Sequence, residues 1–170
     1  MGNLSKVIAC LKVLGIRPKV DNFESKLVIQ KTIYILEEMG VRLGYPFGLH
    51  VRGAYSRDLT EDIYQHRKDF EELAGEEKLS EKEIMLVNEF KEEMGKPDPA
   101  ILEIAATYAY FFKQQGMSAR DATIKVKEMK PFFSEMQFVQ GINRAKALVF
   151  KPTEKELKKM KDEFKAWEEA

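Results

Sequence analysis

The residues with the clearest capacity for binding chemistry lie in one short polar segment of the sequence. Its candidate binding residues are His50, Arg52, Tyr55, Ser56, Arg57, Asp58 and Asp62. Gly53 allows the chain to turn inside this segment, and the residues after it open a predicted helix. Since a helix N-terminus presents free N–H groups and a partial positive charge, it could act with Arg52 and Arg57 to hold a phosphate or a partner's carboxylate.

A structural role for the same segment is simpler, and we favour it. Arg52 would pair with Asp58 or Asp62, and Tyr55 would pack on the preceding helix. The segment would then be a strut that joins a strand to a helix. The sequence alone leaves both interpretations open.

Catalytic chemistry has little support in the residues. General acid–base catalysis by His50 would need a partner that orients its ring, such as the nearby Asp58 or Asp62. The sequence contains no GxSxG, HExxH or P-loop pattern. Cys10, His50 and His66 do not supply the spaced nitrogen and sulfur ligands that zinc needs. We therefore predict no enzyme activity, no catalytic residue, no metal site and no cofactor.

Glu103 is the one carboxylate within the apolar helical stretch ILEIAATYAYFF. A glutamate in such a stretch commonly lies at the edge of the buried face with its carboxylate in water, and we expect this position. A buried Glu103 with a shifted pKa is the alternative.

Two helices must position the polar segment. From Phe23 to Met39 the apolar residues cover well over half of the helix circumference, which predicts burial on most sides. Asp21 or Asn22 can cap the start of this helix. The helix that follows the segment has Asp58 and Glu61 in capping-box register, which places its start there.

The residues between these helices alternate in character with a period of two. Phe47, Leu49 and Val51 are expected to face inward, and the residues between them outward. This alternation predicts one short extended segment, a strand or an extended arm, near residues 47–52.

The remaining sequence predicts further helices, about eight in all. We expect an N-terminal half over residues 1–74, a four-helix half over residues 80–150 packed on it, and an amphipathic helix over residues 153–170. In this last helix the apolar residues recur at helical spacing as Leu157, Met160, Phe164 and Trp167. The stripe would dock onto the body of the protein or pair with a second copy, and it motivates a predicted preference for a homodimer.

Charge and cysteine content narrow the function classes. The 28 acidic residues balance 28 basic ones, so the positive excess of many nucleic-acid binders is missing. Cys10 is the single cysteine and sits among apolar residues, which predicts a buried thiol and a reducing cytosol. Apolar runs are shorter than the roughly 20 residues that span a bilayer, and no secretory signal pattern is visible. We expect a cytoplasmic protein.

Residues 21–67 are compatible with a helix-turn-helix or winged-helix plan. The helix that would enter a DNA groove, however, carries Asp58, Glu61 and Asp62 near its front. Phosphate contacts need lysine and arginine there, so DNA reading by this helix is disfavoured.

Two stretches, KLVIQKTIYILEEMG and YPFGLHVRGAYSRDLTEDIY, resemble the KLQKLxYxxQ helix and YGPYSxxLxxDL loop of small uncharacterised prokaryotic proteins. Those proteins look related to the Panacea domain, found in antitoxins and in proteolysis-adaptor-like proteins. ILEIAATYAYFF and MKPFFSEMQFVQGINRA are similar to the LELLATxxYL and KPxFSxxxxxxAL pieces of the same group, so the resemblance covers roughly residues 23–149. Thr32 departs from a common leucine, and Arg52-Gly53-Ala54 stands where the loop usually has glycine-proline.

The resemblance implies a mainly α, compact multi-helix domain with a winged-helix-like N-terminal core. It implies no known reaction, and for the antitoxin branch it implies binding and neutralising a partner protein. Together with the residues, it predicts a non-enzymatic protein-interaction module, antitoxin-like or adaptor-like, that binds a protein partner or itself. A winged-helix-type DNA-binding transcriptional regulator is the alternative.

Overall fold

The chain folds mainly into α-helices, as predicted, in the computed structural model, which describes residues 2–96 and 98–170. Within these residues there are nine α-helices, one π-helical turn and one two-stranded antiparallel sheet. The α-helices are α1 (Leu4–Leu14), α2 (Phe23–Met39), α3 (Arg57–Gln65), α4 (Arg67–Glu71), α5 (Glu81–Met94), α6 (Pro99–Ala109), α7 (Ala119–Met129), α8 (Glu135–Val149) and α9 (Glu154–Glu168). The strands are β1 (Gly48–His50) and β2 (Gly53–Tyr55), and the π-helical turn is Tyr110–Gln114.

Helices α2 and α6 form the centre of the fold, because both are apolar around most of their circumference. Helix α2 packs against α6, and α6 packs against α8. Where α6 and α8 cross, a Cβ atom on Gly141 would lie 2.6 Å from Cγ2 of Ile104, so the crossing needs a residue without a side chain. Among the described residues, no helix has both the length and the apolar character needed to cross a membrane.

Most helix starts follow from capping chemistry that the sequence already displays. Ser80 begins α5 and Ser134 begins α8, and both make complete capping boxes with Glu83 and Gln137. Asn22 caps α2 by accepting a hydrogen bond from a backbone N–H of its first turn. These starts were predictable because each depends on residues only three positions apart.

The start of α3 differs from the prediction by two residues. Ser56 is the N-cap, not Asp58, and its hydroxyl accepts a hydrogen bond from the backbone N–H of Leu59 at 3.3 Å. Serine and aspartate are comparable caps, so their intrinsic preferences do not decide between them. The preceding hairpin decides which residue caps the helix, because it places Ser56 against α2 in an extended conformation.

The predicted single extended segment is a β-hairpin. Strands β1 and β2 pair antiparallel with Leu49 opposite Ala54, and Val51 and Arg52 form the turn. The prediction that Val51 faces inward is wrong, because its side chain is 93% exposed. The alternation of the strand ends at His50, and the turn residues no longer belong to either face of the sheet.

One hydrophobic core runs through the described residues from α1 to α8 and draws on both of the predicted halves. Cys10 lies fully inside this core, which confirms the prediction of a buried thiol. Burial raises the pKa of Cys10 to about 12. At neutral pH the side chain is therefore a protonated, unreactive thiol.

Helix α9, all of whose residues are described, has no buried side chain. It begins at Thr153, whose hydroxyl accepts from the backbone N–H of Glu156, and its first turn is tied to the body by the ion pair between Glu156 and Lys113. The apolar stripe of this helix consists of Leu157, Met160, Phe164 and Trp167, and all four are exposed. The expected docking of this stripe onto the body of its own chain is therefore wrong.

Candidate functional site

A pocket of about 430 Å³ opens between α2, the β1–β2 hairpin, α3 and α4. We call it the hairpin pocket. Its apolar lining is Val20, Phe23, Leu27, Ile29, Val51, Gly53, Ile63 and Phe70. Its polar lining is Lys26, Gln30, Lys31, His50, Arg52, Tyr55, Thr60 and Tyr64. A largely apolar pocket with a few convergent polar groups is the usual form of a binding site.

Three of the seven predicted site residues line this pocket. They are His50, Arg52 and Tyr55. The rings of His50 and Tyr55 pack edge to face with their centroids 4.8 Å apart, which the register of the hairpin permits because the two side chains lie on neighbouring strands. The hairpin therefore gathers the part of the predicted segment that precedes α3.

The other four predicted residues do not join them. Ser56 is buried as the cap of α3, and Arg57 and Asp58 are exposed on the outer face of that helix. Asp62 accepts a hydrogen bond of 2.7 Å from the hydroxyl of Tyr45. Arg57 pairs with Glu61 and does not line the pocket with Arg52, so the anion site made by Arg52, Arg57 and the helix N-terminus stays a prediction without support from the pocket.

The outer face of α3 carries mixed charge. Arg57 donates from Nε to Glu61 at 2.9 Å, one turn further along the helix, so much of its charge is compensated locally. Asp58 stands exposed beside this pair. DNA reading by α3 thus keeps the electrostatic disadvantage that the sequence indicates.

Arg52 has a different partner from those expected. Its guanidinium lies over the ring of Phe23, 4.9 Å from the centroid, and its Nη1 is 4.0 Å from Oε1 of Glu103. Pairing with Asp58 or Asp62 is therefore wrong. The side chain of Arg52 remains 60% exposed, so it can adjust its position at the mouth of the pocket.

Behind the hairpin lies a group of ionisable side chains that we call the buried charge cluster: Glu103, Lys31, Lys130 and Arg52. Glu103 is only 2% exposed, so its expected position at a wet helix edge is wrong. Lys31 and Lys130 are 3% and 1% exposed. Lys130 Nζ lies 3.6 Å from Oε1 of Glu103, an ion-pair distance too long for a hydrogen bond.

The two buried lysines hold the backbone of the hairpin. Lys31 donates to the carbonyl of Ala54 at 2.7 Å, and Lys130 donates to the carbonyl of Val51 at 3.2 Å. Both bonds join cationic donors to carbonyls, and the bond from Lys31 is fully buried, where such bonds are strong. The position of the turn is therefore set from beneath by α2 and by the end of α7.

Desolvation acts on the charge of both lysines. It lowers the pKa of Lys31 from its usual 10.5 to about 8, against an opposing effect of the Glu103 carboxylate. Burial likewise lowers the pKa of Lys130, again opposed by Glu103. Three cationic side chains, counting Arg52, thus share one carboxylate, which leaves positive charge uncompensated behind the pocket wall.

Gln30 fixes the other end of the hairpin. Its amide nitrogen donates to the carbonyl of Ser56 at 3.0 Å, and its amide oxygen accepts from the N–H of the same residue at 2.9 Å. This pair of bonds satisfies a buried backbone donor and acceptor where the strand passes into α3. The pocket wall is thereby fixed to α2 at two consecutive helix positions, Gln30 and Lys31.

Several residues that build this site are not among those predicted from the sequence: Phe23, Gln30, Lys31, Tyr64 and Lys130. The signal for Lys31 was present, because it follows Gln30 inside the apolar run LVIQKTIYIL. A polar pair on an otherwise buried helix needs partners, and the hairpin supplies them. Phe23 and Tyr64 had no comparable signal, since single exposed aromatic residues are common.

The charged residues that line the pocket are all basic. Lys26, Lys31 and Arg52 face it together with His50, and none of the described residues in its lining is Asp or Glu. No group of three or more His, Cys, Asp or Glu side chains in the described part of the chain is arranged to hold a metal ion. The pocket is therefore suited to a ligand that combines an apolar group with a negatively charged group.

Comparison of the chain with protein-family models, with curated proteins and with solved structures finds no match. The resemblance to Panacea-related proteins therefore stays a prediction that rests on the sequence motifs. A functional proposal has to start from the hairpin pocket itself.

Proposed function

We propose that this chain is a non-enzymatic protein-interaction module, antitoxin-like or adaptor-like, and that the hairpin pocket is its partner-binding surface. The observation that carries the proposal is the apolar character of the pocket, which continues to exposed residues at its mouth. Phe23, Val51 and Tyr64 are all exposed there. Clustered exposed apolar side chains on a folded domain mark a surface that a partner covers.

The stiffness of the pocket wall supports the same function. Gln30, Lys31 and Lys130 hold the hairpin backbone by hydrogen bonds from beneath, so little ordering is needed when a partner binds. A preformed surface loses less conformational entropy on association than a mobile loop does. The strut and the site are then two roles of one hairpin.

The cellular setting belongs to the proposal as well. A single cysteine that is buried as a thiol fits a reducing compartment, so we place the protein in the cytoplasm. The sequence resemblance further suggests a prokaryotic partner protein.

The proposal can be tested by capturing partners from the source cells with the purified protein. The pocket variant combines Phe23→Ala with Tyr64→Ala, which removes two exposed rings at the mouth. The control combines Met85→Ala with Phe132→Ala, two exposed apolar residues that do not line the pocket. Thermal unfolding of both variants checks that each remains folded.

A stoichiometric partner should be recovered by the wild type and by the control, and its recovery should fall at least tenfold with the pocket variant. Such a loss is expected because exposed aromatic anchors contribute much of the free energy of protein association. Equal recovery of the partner by the pocket variant would show that the interface lies elsewhere on the molecule.

A further inference from the structure

We propose that the hairpin pocket recognises an acidic peptide segment of its partner, in which an apolar side chain enters the pocket and a neighbouring Asp or Glu carboxylate meets Arg52. This inference rests on the proposed function and specifies the chemistry of the partner. It follows from three features of the site: the charge of the lining, the imbalance of the buried charge cluster, which shares Lys31 and Arg52 with the lining, and the shape of the apolar surface.

The charge of the lining is one-sided in a protein whose overall charge is balanced. The chain as a whole has 28 acidic and 28 basic residues. Lys26, Lys31 and Arg52 line it, while the described lining residues include no carboxylate. Such a surface attracts an acidic segment and repels a basic one, which gives the site its selectivity.

The buried charge cluster lacks negative charge. Glu103 is its single carboxylate, and Oε1 of Glu103 lies near two of the three basic side chains, those of Lys130 and Arg52. Lys31 and Lys130 are already held by backbone carbonyls, whereas Arg52 is mostly exposed and lies 4.0 Å from that oxygen. Arg52 is therefore the cation of the cluster that can turn to an incoming carboxylate.

An arginine in this position is suited to carboxylate recognition. Its guanidinium presents parallel N–H donors that match the two oxygens of a carboxylate. The ring of Phe23 supports the guanidinium from one face at 4.9 Å, which leaves its edge available. A carboxylate bound there would add the second negative charge that the cluster lacks.

The apolar surface favours a peptide over a small acid. Leu27, Ile63 and Phe70 form a buried floor, and the volume of about 430 Å³ accommodates a large side chain with adjoining backbone. The apolar surface then continues outward to Phe23 and Val51 at the mouth. A segment with several residues covers this outer part, whereas a small amphipathic acid would leave it in water.

The test is selection from a random dodecapeptide phage library on three immobilised proteins. They are the wild type, the Arg52→Glu variant, and the Arg17→Glu variant as a matched charge reversal at an exposed residue outside the pocket. The wild type and Arg17→Glu should enrich peptides with Asp or Glu beside a large apolar residue. Arg52→Glu should lose these peptides or select Lys and Arg instead.

The dissociation constant of a selected peptide, measured by fluorescence anisotropy, should rise at least tenfold with Arg52→Glu. It should change less than twofold with Arg17→Glu. Enrichment of apolar peptides that lack an acidic residue, with equal affinity for Arg52→Glu, would overturn the acidic-segment inference and leave the interaction module standing.

Two further outcomes separate the remaining possibilities. Peptide binding that is unchanged in the variant combining Phe23→Ala and Tyr64→Ala would overturn both proposals, because the pocket would then not be the interface. Calorimetric titration with decanoate tests whether the pocket binds a small amphipathic acid. Decanoate binding that is sensitive to Arg52→Glu, without acidic peptide enrichment, would assign the pocket to a small amphipathic acid and overturn the peptide proposal.

Discussion

The carboxylate of Glu103 compensates part of the positive charge of the side chains that lie beneath the hairpin. It is buried with Lys130 at ion-pair distance, and its field favours the charged form of Lys31. We expect Glu103→Gln to lower the free energy of unfolding by about 3 kcal/mol, because removal of one partner leaves a buried charge without compensation. Urea unfolding of the wild type and the variant measures this difference.

A double-mutant cycle with Lys130→Met separates the charge interaction from other effects of the substitution. The double variant should be more stable than the sum of the two single losses predicts, because the unpaired lysine is then gone. Additive losses would show that Glu103 and Lys130 do not interact despite their distance of 3.6 Å.

Lys31 gives the protein a defined dependence on pH. Its folded pKa of about 8 lies below the usual 10.5, so between these values the unfolded chain binds more protons than the folded one. The contribution of Lys31 to the free energy of unfolding therefore rises with pH over this window, and below pH 8 the cost of burying its charge is fully present.

Lys31→Met removes this titration. From pH 7 to pH 10 the stability of the wild type relative to Lys31→Met should rise by about 2 kcal/mol, since each pKa unit corresponds to roughly 1.4 kcal/mol. Urea unfolding at a series of pH values measures the difference, in which the titrating groups that do not interact with Lys31 cancel. A constant difference across the window would contradict the lowered pKa.

Partners of single residues were the least predictable part of the site. His50 and Tyr55 could be grouped from sequence because they are close along the chain. Arg52 was assigned to carboxylates on α3 for the same reason, although its partner is Glu103 on α6. Sequence proximity favours partners that are close along the chain. The fold instead places α6 beneath the hairpin, so Glu103 becomes the partner of Arg52.

Elements whose ends depend on local chemistry were predictable. The capping boxes that start α5 and α8 involve residues three apart and do not need the rest of the fold. The hairpin is different, because each strand has only three residues and is held mainly by side chains of α2 and the end of α7. A period of two over six residues indicates an extended backbone but gives no position for a turn.

Gly53 lies in β2 against Thr107 of α6. Its φ of +92° lies in the left-handed region, and a Cβ atom there would lie 2.5 Å from Oγ1 of Thr107. Gly53→Ala therefore combines backbone strain with a collision, and we expect a loss of about 3 kcal/mol in the free energy of unfolding. Chemical denaturation measures the loss.

Gly116 supplies the matched control. Its φ is +65°, and a Cβ atom there would meet nothing within 4 Å, so Gly116→Ala should cost only the strain of about 1 kcal/mol. Adding Thr107→Ala to Gly53→Ala removes the colliding oxygen and should restore part of the loss. Equal effects of Gly53→Ala and Gly116→Ala would show that the contact with α6 does not constrain the hairpin.

At the scale of the whole molecule, two of the surfaces that expose apolar side chains bear on its interactions. One is the mouth of the hairpin pocket, and the other is the stripe of α9. Spacing along the sequence correctly predicted that the stripe forms one face of a helix. It could not predict that this helix is attached to the body of the protein only at its first turn. Hydrophobic periodicity defines a face and leaves open which surface covers it.

We predict that this face pairs with a second copy of the chain, so that the protein of 170 residues is a homodimer. Leu157, Met160, Phe164 and Trp167 follow spacings of three, four and three, the pattern of a short two-helix seam, and Trp167 is 83% exposed. Light scattering over a range of protein concentrations should give the dimer mass. A chain shortened to end at Lys151 should give the monomer mass.

Point variants make the same test without removing a helix. Phe164→Glu places a charge on the stripe, so the dimer should dissociate at a protein concentration at least tenfold higher. Ala166→Glu adds the same charge to another exposed position of α9 and should leave the dissociation concentration unchanged. A monomer of the 170-residue chain would contradict the predicted dimer. A dimer that survives both the truncation and Phe164→Glu would place the contact on the body of the protein, where the mouth of the hairpin pocket is one exposed apolar surface.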